Sequence, residues 1–469
     1  MANRSVQIPS SDILAQLEYC KEIKNFHKDS PLAFVDTYGC QQNEADSQKI
    51  RGYLEKMGYA FTNNEKEAQI IVINTCAIRD HAEQKIFGNV GALVHSKKQN
   101  PNQLICLCGC MMQQEAVAER IKKSFRHVDL VFGPQVLWRF PEFIHRLFTE
   151  KGRIFQIPLD ADSIAEGLPQ VRQNGAKGWL SIMYGCNNYC TYCIVPYVRG
   201  RERSRQPEEI VAECQEMIDS GIKEITLLGQ NVNSYGKDLE TPLDFSDLLQ
   251  LLNKLEGDFL LRFMTSHPKD ATEKLFETMA SCDKVAPSLH LPFQSGNNQI
   301  LKAMNRGYTQ ESYLEKITQV KKLIPNITLT SDVIVGFPEE TREQFQDTLK
   351  LLEIVEFDAL FTFIFSPRSG TPAAKLPDPV SKEEKSKNFQ ELLDVQNKIS
   401  GKKHQESVGQ IYRCLVDGES GDLRYPMSAR TPGNRLLRFD GDPSLVGQFV
   451  SLKVTEAGTW SLTGELVKE

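Results

Sequence analysis

Six of the twelve cysteines in this 469-residue chain fall in patterns that suit chemistry. Cys186, Cys190 and Cys193 make a CxxxCxxC loop. Thiolates are the usual ligands of iron–sulfur clusters. A cubane cluster has four irons, so three cysteines leave one iron open to a small molecule. An amine and a carboxylate together chelate such an iron, and the methionine part of S-adenosylmethionine offers both. Zinc with a distant fourth ligand is the competing use of three clustered cysteines. Zinc sites more often pair two CxxC units, a spacing this loop lacks.

Cys40, Cys76 and Cys110 form a second set, each just past a run that reads as a β-strand (32–37, 70–74 and 104–108). Successive parallel strands end along one edge of their sheet, so residues past those ends can converge. Three such thiolates suit a second cluster, again with an open iron. Cys108 competes with Cys110 for the ligand role; Cys110 is preferred because Gly109 lets the chain turn after the strand. Cys20, Cys106, Cys108, Cys214, Cys282 and Cys414 read as small buried hydrophobes.

The elements that must position these residues alternate in type. Residues 31–149 read as strands and helices in turn (helices near 43–57, 81–96 and 114–123), the pattern of a parallel α/β three-cysteine domain. Residues 1–30 read as a partly ordered extension and 150–176 as a linker. Over 175–402 six strands are expected, near 180–183, 224–228, 260–264, 288–291, 328–335 and 359–365, with helices between them, such as 208–220 and 342–354. Six β/α units predict a partial (β/α)6 barrel, with the CxxxCxxC loop at the carboxyl end of its first strand, where such barrels carry their active sites. Short β-prone runs separated by Gly, Asp and Pro turns over 405–468 predict a small all-β barrel. The expected fold class is α/β with that barrel appended.

Composition narrows the classes further. Hydrophobic residues make up 40% and charged residues 25%, the profile of a globular chain with a large core. No apolar run reaches the length of a membrane span, and the first residues lack a secretory pattern, so the expected location is the cytoplasm. A reducing compartment disfavours disulfides and favours metal-binding or catalytic cysteines. The net charge of −6 excludes a uniformly basic nucleic-acid binder but permits a local basic face.

Longer runs carry a resemblance over about residues 31–468. They are SIMYGCNNYCTYCIVPYVRGRE (181–202), LLGQNVNSY (227–235), HLPFQSG (290–296), DVIVGFP (332–338) and FSPRSGT (365–371). The chain resembles the methylthiotransferases of the radical S-adenosylmethionine superfamily. That resemblance implies an N-terminal domain with an auxiliary cluster, a radical SAM core and a C-terminal RNA-binding barrel called TRAM. It implies two 4Fe-4S clusters and two S-adenosylmethionine molecules. One donates a methyl group; the other is cleaved at the Cys186, Cys190 and Cys193 cluster to a radical that takes a hydrogen from a carbon. The Cys40, Cys76 and Cys110 cluster carries or delivers the sulfur. The runs TYGCQQN (37–43) and AIRDHAE (77–83) fit the branch that acts on carbon 2 of N6-dimethylallyladenosine beside the tRNA anticodon. Sibling branches modify threonylcarbamoyladenosine in tRNA or a ribosomal-protein aspartate. A more distant alternative is a non-catalytic RNA-binding protein with structural metal.

The same resemblance assigns cofactor contacts. Gly229, Gln230 and Asn231 look like the segment that meets the methionine group; Gln294 and Asp332 are placed near the ribose or amino group; Gly336 suits a close backbone approach to cofactor; Tyr192 resembles the aromatic flanking the adenine. Helix capping is the competing use of Gln294 and Asp332, and simple packing that of Tyr192. Arg199, Arg201, Arg203 and Arg205 are expected to grip tRNA phosphates, since arginine pairs bidentately with phosphate. A solvated loop paired with Glu208 and Glu209 is the alternative. Arg424, Arg430, Arg435 and Arg438, near Tyr425 and Phe439, add a candidate RNA face on the C-terminal barrel. The implied partners are the anticodon loop of a prenylated tRNA and an external electron donor, with the protein a monomer and no membrane involved.

Overall fold

The computed structural model describes residues 6–77, 80–158, 163–172 and 175–467, with the side chains of 80–84 outside that description. Most of the AIRDHAE run therefore lies outside the described residues, as do linker positions 173 and 174. The chain forms two compact units. One comprises Met1–Gln173 with Met183–Asn187 and Ile194–Arg205; the other holds Asn174–Ile182, Asn188–Cys193 and Gln206–Glu469.

The first unit is built on a six-stranded parallel sheet. Its order in space is Ala60–Phe61, Leu32–Thr37, Ile70–Thr75, Leu104–Gly109, Leu130–Phe132, Ile154–Gln156. Ile70–Thr75 is buried along its whole length, as a central strand covered on both faces must be. Alternate side chains feed two cores. Ile70, Val72, Cys106 and Cys108 pack with Tyr53, Cys20 and Phe143 from helices on one face. Ile71, Ile73, Ile105 and Leu107 pack with Phe87, Val90 and Ile121 on the other. The period-2 alternation of a strand produces this division.

The second unit carries six parallel strands in two ladders. Lys177–Ser181, Glu224–Leu228 and Leu260–Phe263 form one; Ser288–His290, Thr328–Val335 and Ala359–Ile364 form the other. A parallel bridge between Leu261 and Val285 lies between the ladders. The expected six β/α units are therefore present, with helices Pro207–Asp219 and Arg342–Val355 where the periodicity puts them. Beyond the 24-residue helix Lys382–Gln405, five strands close into a small barrel around Cys414, Val416, Met427, Leu437 and Leu452.

Buried and half-buried ion pairs fasten that small barrel to both ladders. Arg262 pairs with Glu224 at 2.6 Å and donates to the carbonyls of Pro432 (2.6 Å) and Thr431 (3.1 Å). Lys177 reaches Asp417 at 2.8 Å, and Arg435 pairs with Asp358.

Two expectations need correction. The amino-terminal region, expected as a partly ordered extension, carries a 17-residue helix, Ser10–Phe26, that buries Ile13, Gln16, Cys20 and Ile23. Few of its positions are buried, so its sequence shows little apolar stripe. Gln16 also accepts the Glu142 N–H at 3.1 Å, tying this helix to Phe140–Thr149. The stretch read as a linker supplies the edge strand Ile154–Gln156 and a second one, Ser163–Ile164, which pairs in parallel with Val6–Gln7. Neither short strand is long enough to show alternation.

Arg262→Ala leaves Glu224 buried beside Lys177 alone, 3.8 Å away. We expect it to cost about 3 kcal/mol of stability, read by urea denaturation; a loss within 0.5 kcal/mol, roughly that of an ordinary surface change, would mean the pair does not fasten the barrel.

Candidate metal centre

Within the first unit the three strand-end cysteines are brought together. Cys40 precedes helix Gln41–Lys56, Cys76 follows Thr75 directly, and Cys110 follows Gly109. Gly39 is a point of close approach: a Cβ there would sit 2.9 Å from the Asn43 side chain and 3.0 Å from the Cys76 Cβ. Gly109 has φ of 95°, the left-handed region that glycine tolerates, and this turn carries Cys110 off the sheet. Cys108, one residue earlier, stays in the aliphatic core. Cys110 lies instead with Ala77, Ile194 and Val198. Cys20, Cys106, Cys214, Cys282 and Cys414 are buried too, as small core residues.

An amide clamp holds the strand ends. Asn43 Nδ2 donates to Asn74 Oδ1 (2.9 Å) and to the Thr75 carbonyl (3.0 Å), while Asn74 Nδ2 donates to the Asn43 carbonyl (2.8 Å) and to Ser47 Oγ (3.0 Å). The Cys40 Sγ donates to Asn43 Oδ1 at 3.3 Å. Polar side chains over Gln42–Lys49 are buried, an unusual stretch for a helix face against a sheet.

The electrostatics fit a cationic cofactor. Burial pushes the Cys110 thiol up to about 12; Arg199 opposes this, and Cys40, Cys76 and Asp46 add to it. Thiolates that raise one another's proton affinity in a buried pocket are poor neighbours until a metal neutralises them. Among the described residues no three His, Cys, Asp or Glu side chains converge on a single ion. A 4Fe-4S cluster asks for something else, one iron under each thiolate, and the donor set fits it.

The four arginines expected at an RNA face behave differently. Arg199 is 5% exposed, pairs with Asp46 at 2.7 Å and donates from Nε to the Cys110 Sγ at 2.9 Å. Arg203 is buried and donates to the Arg199 carbonyl at 3.1 Å. Arg205 is buried in a two-pronged pair with Glu166, at 2.8 and 2.9 Å from Nε. Arg201 is exposed. The expected phosphate grip is corrected for Arg199, Arg203 and Arg205: each charge is neutralised or hydrogen-bonded inside the unit. On the C-terminal barrel, Arg430 and Arg435 are likewise engaged by Asp417 and Asp358, while Arg424 is exposed over the Tyr425 ring.

The CxxxCxxC loop is divided between the units, Cys186 in the first and Cys190 and Cys193 in the second. Cys186 N–H donates to the Gly200 carbonyl at 3.1 Å. In the second unit, Thr191 N–H donates to the Met304 carbonyl and its own carbonyl accepts from Ala373 N–H. Tyr192 packs against Ile300, Met304, Phe337 and Ala373. Arg306, buried and not singled out from sequence, donates to the Cys190 Sγ at 3.4 Å and to the Pro292 carbonyl at 2.8 Å. Nothing in the spacing around Arg306 marks it; only the fold sets it beside a cysteine. Burial and the charges of Arg306, Lys269 and Lys237 push His267 down to about 2, which keeps it neutral.

The expected cofactor contacts sort three ways. Asn231 and Gln294 are buried, and Asn231 Oδ1 and Gln294 Oε1 accept no hydrogen bond. A ligand ammonium or hydroxyl would satisfy them, and this fits S-adenosylmethionine. Gln294 does not cap the following helix; Asn297 does, accepting from Gln299 and Ile300 N–H. Asp332 lies within its strand and faces His290 Nε2 at 3.4 Å, so it is no cap either. Gly229 accepts from Thr265 Oγ1 at 2.5 Å, and Gln230 is half-buried beside it. Gly336 has a left-handed φ of 71°, its N–H donates to Glu340 at 2.6 Å, and a Cβ there would strike the Lys385 side chain at 2.6 Å.

Asn43→Ala leaves Asn74 Oδ1 and the Thr75 carbonyl without a donor in a buried place. A loss of about 2 kcal/mol in denaturant unfolding is expected, and a loss near zero would mean the clamp is not structural.

The family model of the radical SAM superfamily matches residues 180–352, that of the uncharacterised protein family UPF0004 residues 33–133, and that of the TRAM domain residues 405–467. Among solved structures, a radical S-adenosylmethionine methyltransferase, TsrM, from Kitasatospora setae, with cobalamin and a 4Fe-4S cluster bound, is similar at a TM-score of 0.54, with 13% identity over 74% of this chain and 77% of that one. Such a likeness speaks for the fold. Three relatives are each named tRNA-2-methylthio-N(6)-dimethylallyladenosine synthase. That of Alkaliphilus oremlandii is 48% identical over 100% of both chains. That of Clostridium botulinum strain Langeland is 49% identical over 92% of this chain and 96% of its own, and that of Thermoanaerobacter sp. strain X514 is 46% identical over 99% of both. With identity at that level from end to end, and with its three strand-end cysteines gathered at one sheet edge, the chain belongs to the tRNA-2-methylthio-N(6)-dimethylallyladenosine synthase family of radical SAM proteins.

Proposed function

We propose that this protein replaces the hydrogen on carbon 2 of an N6-dimethylallyladenosine, beside the anticodon of tRNA, with a methylthio group. The observation that carries the reading is full-length identity of 48% to a relative of that name. The gathering of Cys40, Cys76 and Cys110 in the first unit supports it.

In this reading Cys40, Cys76 and Cys110 hold one 4Fe-4S cluster, and Cys186, Cys190 and Cys193 hold the other. Bound there, the clusters and S-adenosylmethionine supply one-electron and radical chemistry that side chains do not. The chain's own residues place and protect. Asn231 Oδ1 and Gln294 Oε1 accept from the ammonium or hydroxyls of S-adenosylmethionine, and Arg306 steadies Cys190. Gly229 and Gln230 extend that contact past the end of Glu224–Leu228, Asp332 adds a carboxylate from Thr328–Val335 in the other ladder, and Tyr192 lends its ring.

The C-terminal barrel exposes Arg424 and Trp460, a cation and an aromatic of the kind that single-stranded RNA stacks and pairs with. Among the described residues no helix is long and apolar enough to cross a membrane. We place the enzyme in the cytoplasm as a monomer served by an external electron donor, since its tRNA substrate resides there.

Anaerobic reconstitution should give about eight irons per chain, four for each cluster. With reductant, S-adenosylmethionine and prenylated tRNA, nucleoside mass spectrometry should find methylthio in place of the carbon 2 hydrogen. Cys40→Ala should abolish that product and still yield 5′-deoxyadenosine; Cys186→Ala should abolish both. About four irons in the parent, or product only on threonylcarbamoyl-tRNA, would sink the reading.

A further inference from the structure

Arg199 stands six residues past Cys193 in sequence, yet its side chain belongs to the three-cysteine unit. Its short helix, Val195–Arg199, is pinned by Gln135, whose Nε2 donates to the Val198 carbonyl at 2.9 Å. The guanidinium is almost fully buried, with one donor in a hydrogen bond and another facing a carboxylate as an ion pair. Nη2 meets the Asp46 carboxylate at 2.7 Å, and Nε meets the Cys110 Sγ at 2.9 Å. Asp46 sits on the helix that starts at Cys40. The pair thus spans from the helix behind one cysteine to the sulfur of another.

A buried guanidinium aimed at a sulfur is costly to build unless that sulfur carries charge. Thiolates acquire that charge when they bind metal. A planar guanidinium also fixes direction, which a lysine ammonium does not. Hydrogen bonds to cluster sulfurs help set the reduction potential, because they stabilise the more negatively charged, reduced form.

We propose that Arg199 is a positioning residue of the three-cysteine centre, anchored by Asp46 and donating a hydrogen bond to Cys110, so that it holds this thiolate on its iron and raises the potential of the cluster. The inference rests on the two-cluster reading above. It gives Arg199 a role inside the protein in place of the RNA contact expected from sequence.

The test uses the full chain with Cys186, Cys190 and Cys193 all changed to Ala, so that only Cys40, Cys76 and Cys110 can bind a cluster. Bound iron, the rate of bleaching by a chelator, and the midpoint potential followed by electron paramagnetic resonance are measured in this parent and its variants. Arg199→Met should lower the potential and speed iron loss roughly 10-fold or more. Arg199→Lys should fall between parent and Met. Because Arg199→Met strands the Asp46 charge, the double variant Arg199→Met with Asp46→Leu removes both charges together and keeps the packing. It should show the same lowered potential with the circular dichroism of the parent. A parent that binds no iron would overturn the two-cluster reading and this proposal with it. A parent that binds iron, with potential and bleaching unchanged in the folded double variant and in Arg199→Lys, would overturn the role of Arg199 alone.

Discussion

Parallel strands in one sheet end on one edge, and the first unit depends on this constraint. Leu32–Thr37, Ile70–Thr75 and Leu104–Gly109 are neighbours in parallel register, Thr37 opposite Asn74 and Thr75 opposite Gly109. Residues just past those ends have nowhere to go but the same rim. The register decides distance; the local chain decides direction. Gly39 lets the first strand end pass close to Cys76, and Gly109 turns Cys110 away from the core that holds Cys108. The Asn43 and Asn74 clamp then ties the helix after the first strand to the end of the second, using both functional groups of the Asn74 amide and the Nδ2 of Asn43.

Arginine is used through the molecule as an internal fastener. Arg262 joins the C-terminal barrel to the first ladder, Arg205 reaches Glu166, Arg306 spans Cys190 and Pro292, and Arg199 spans Asp46 and Cys110. The guanidinium suits such places because it is flat, always charged and less strongly hydrated than an ammonium, so burial costs it less. A count of arginines near a site therefore overstates its attraction for phosphate. Much of the positive charge in the run from Arg199 to Arg205 is neutralised before solvent meets it.

The two sets of ligand residues differ in how the fold builds them. One is gathered from three strand ends that are 36 and 34 residues apart in sequence, judged by Cys40, Cys76 and Cys110. The other sits in one short loop whose residues fall into both compact units, Cys186 in one and Cys190 and Cys193 in the other. The segment Ile194–Arg205 that follows is packed with the three-cysteine unit, although in sequence it belongs to the start of the barrel region. Chain order and compact unit therefore do not coincide here, and Arg199 owes its place to that mismatch.

The sequence alone determined the strands and their alternation. Glu224–Leu228 and Thr328–Val335 have the bounds that their β-prone runs set, since branched residues such as Ile225, Thr226, Val333 and Ile334 favour extended backbone. It determined the cysteine spacing, hence the class of cofactor, since clustered thiolates are the usual ligands of iron–sulfur clusters. It did not determine the helix Ser10–Phe26, whose narrow buried stripe leaves little periodic signal, nor the short strands Ile154–Gln156 and Ser163–Ile164. Tertiary structure alone decided which charges face inward. Arg199, Arg203 and Arg205 read as a basic loop until Asp46 and Glu166, more than 30 residues away in sequence, are folded against two of them. Partners of this kind are set by packing between distant segments, which no local pattern records.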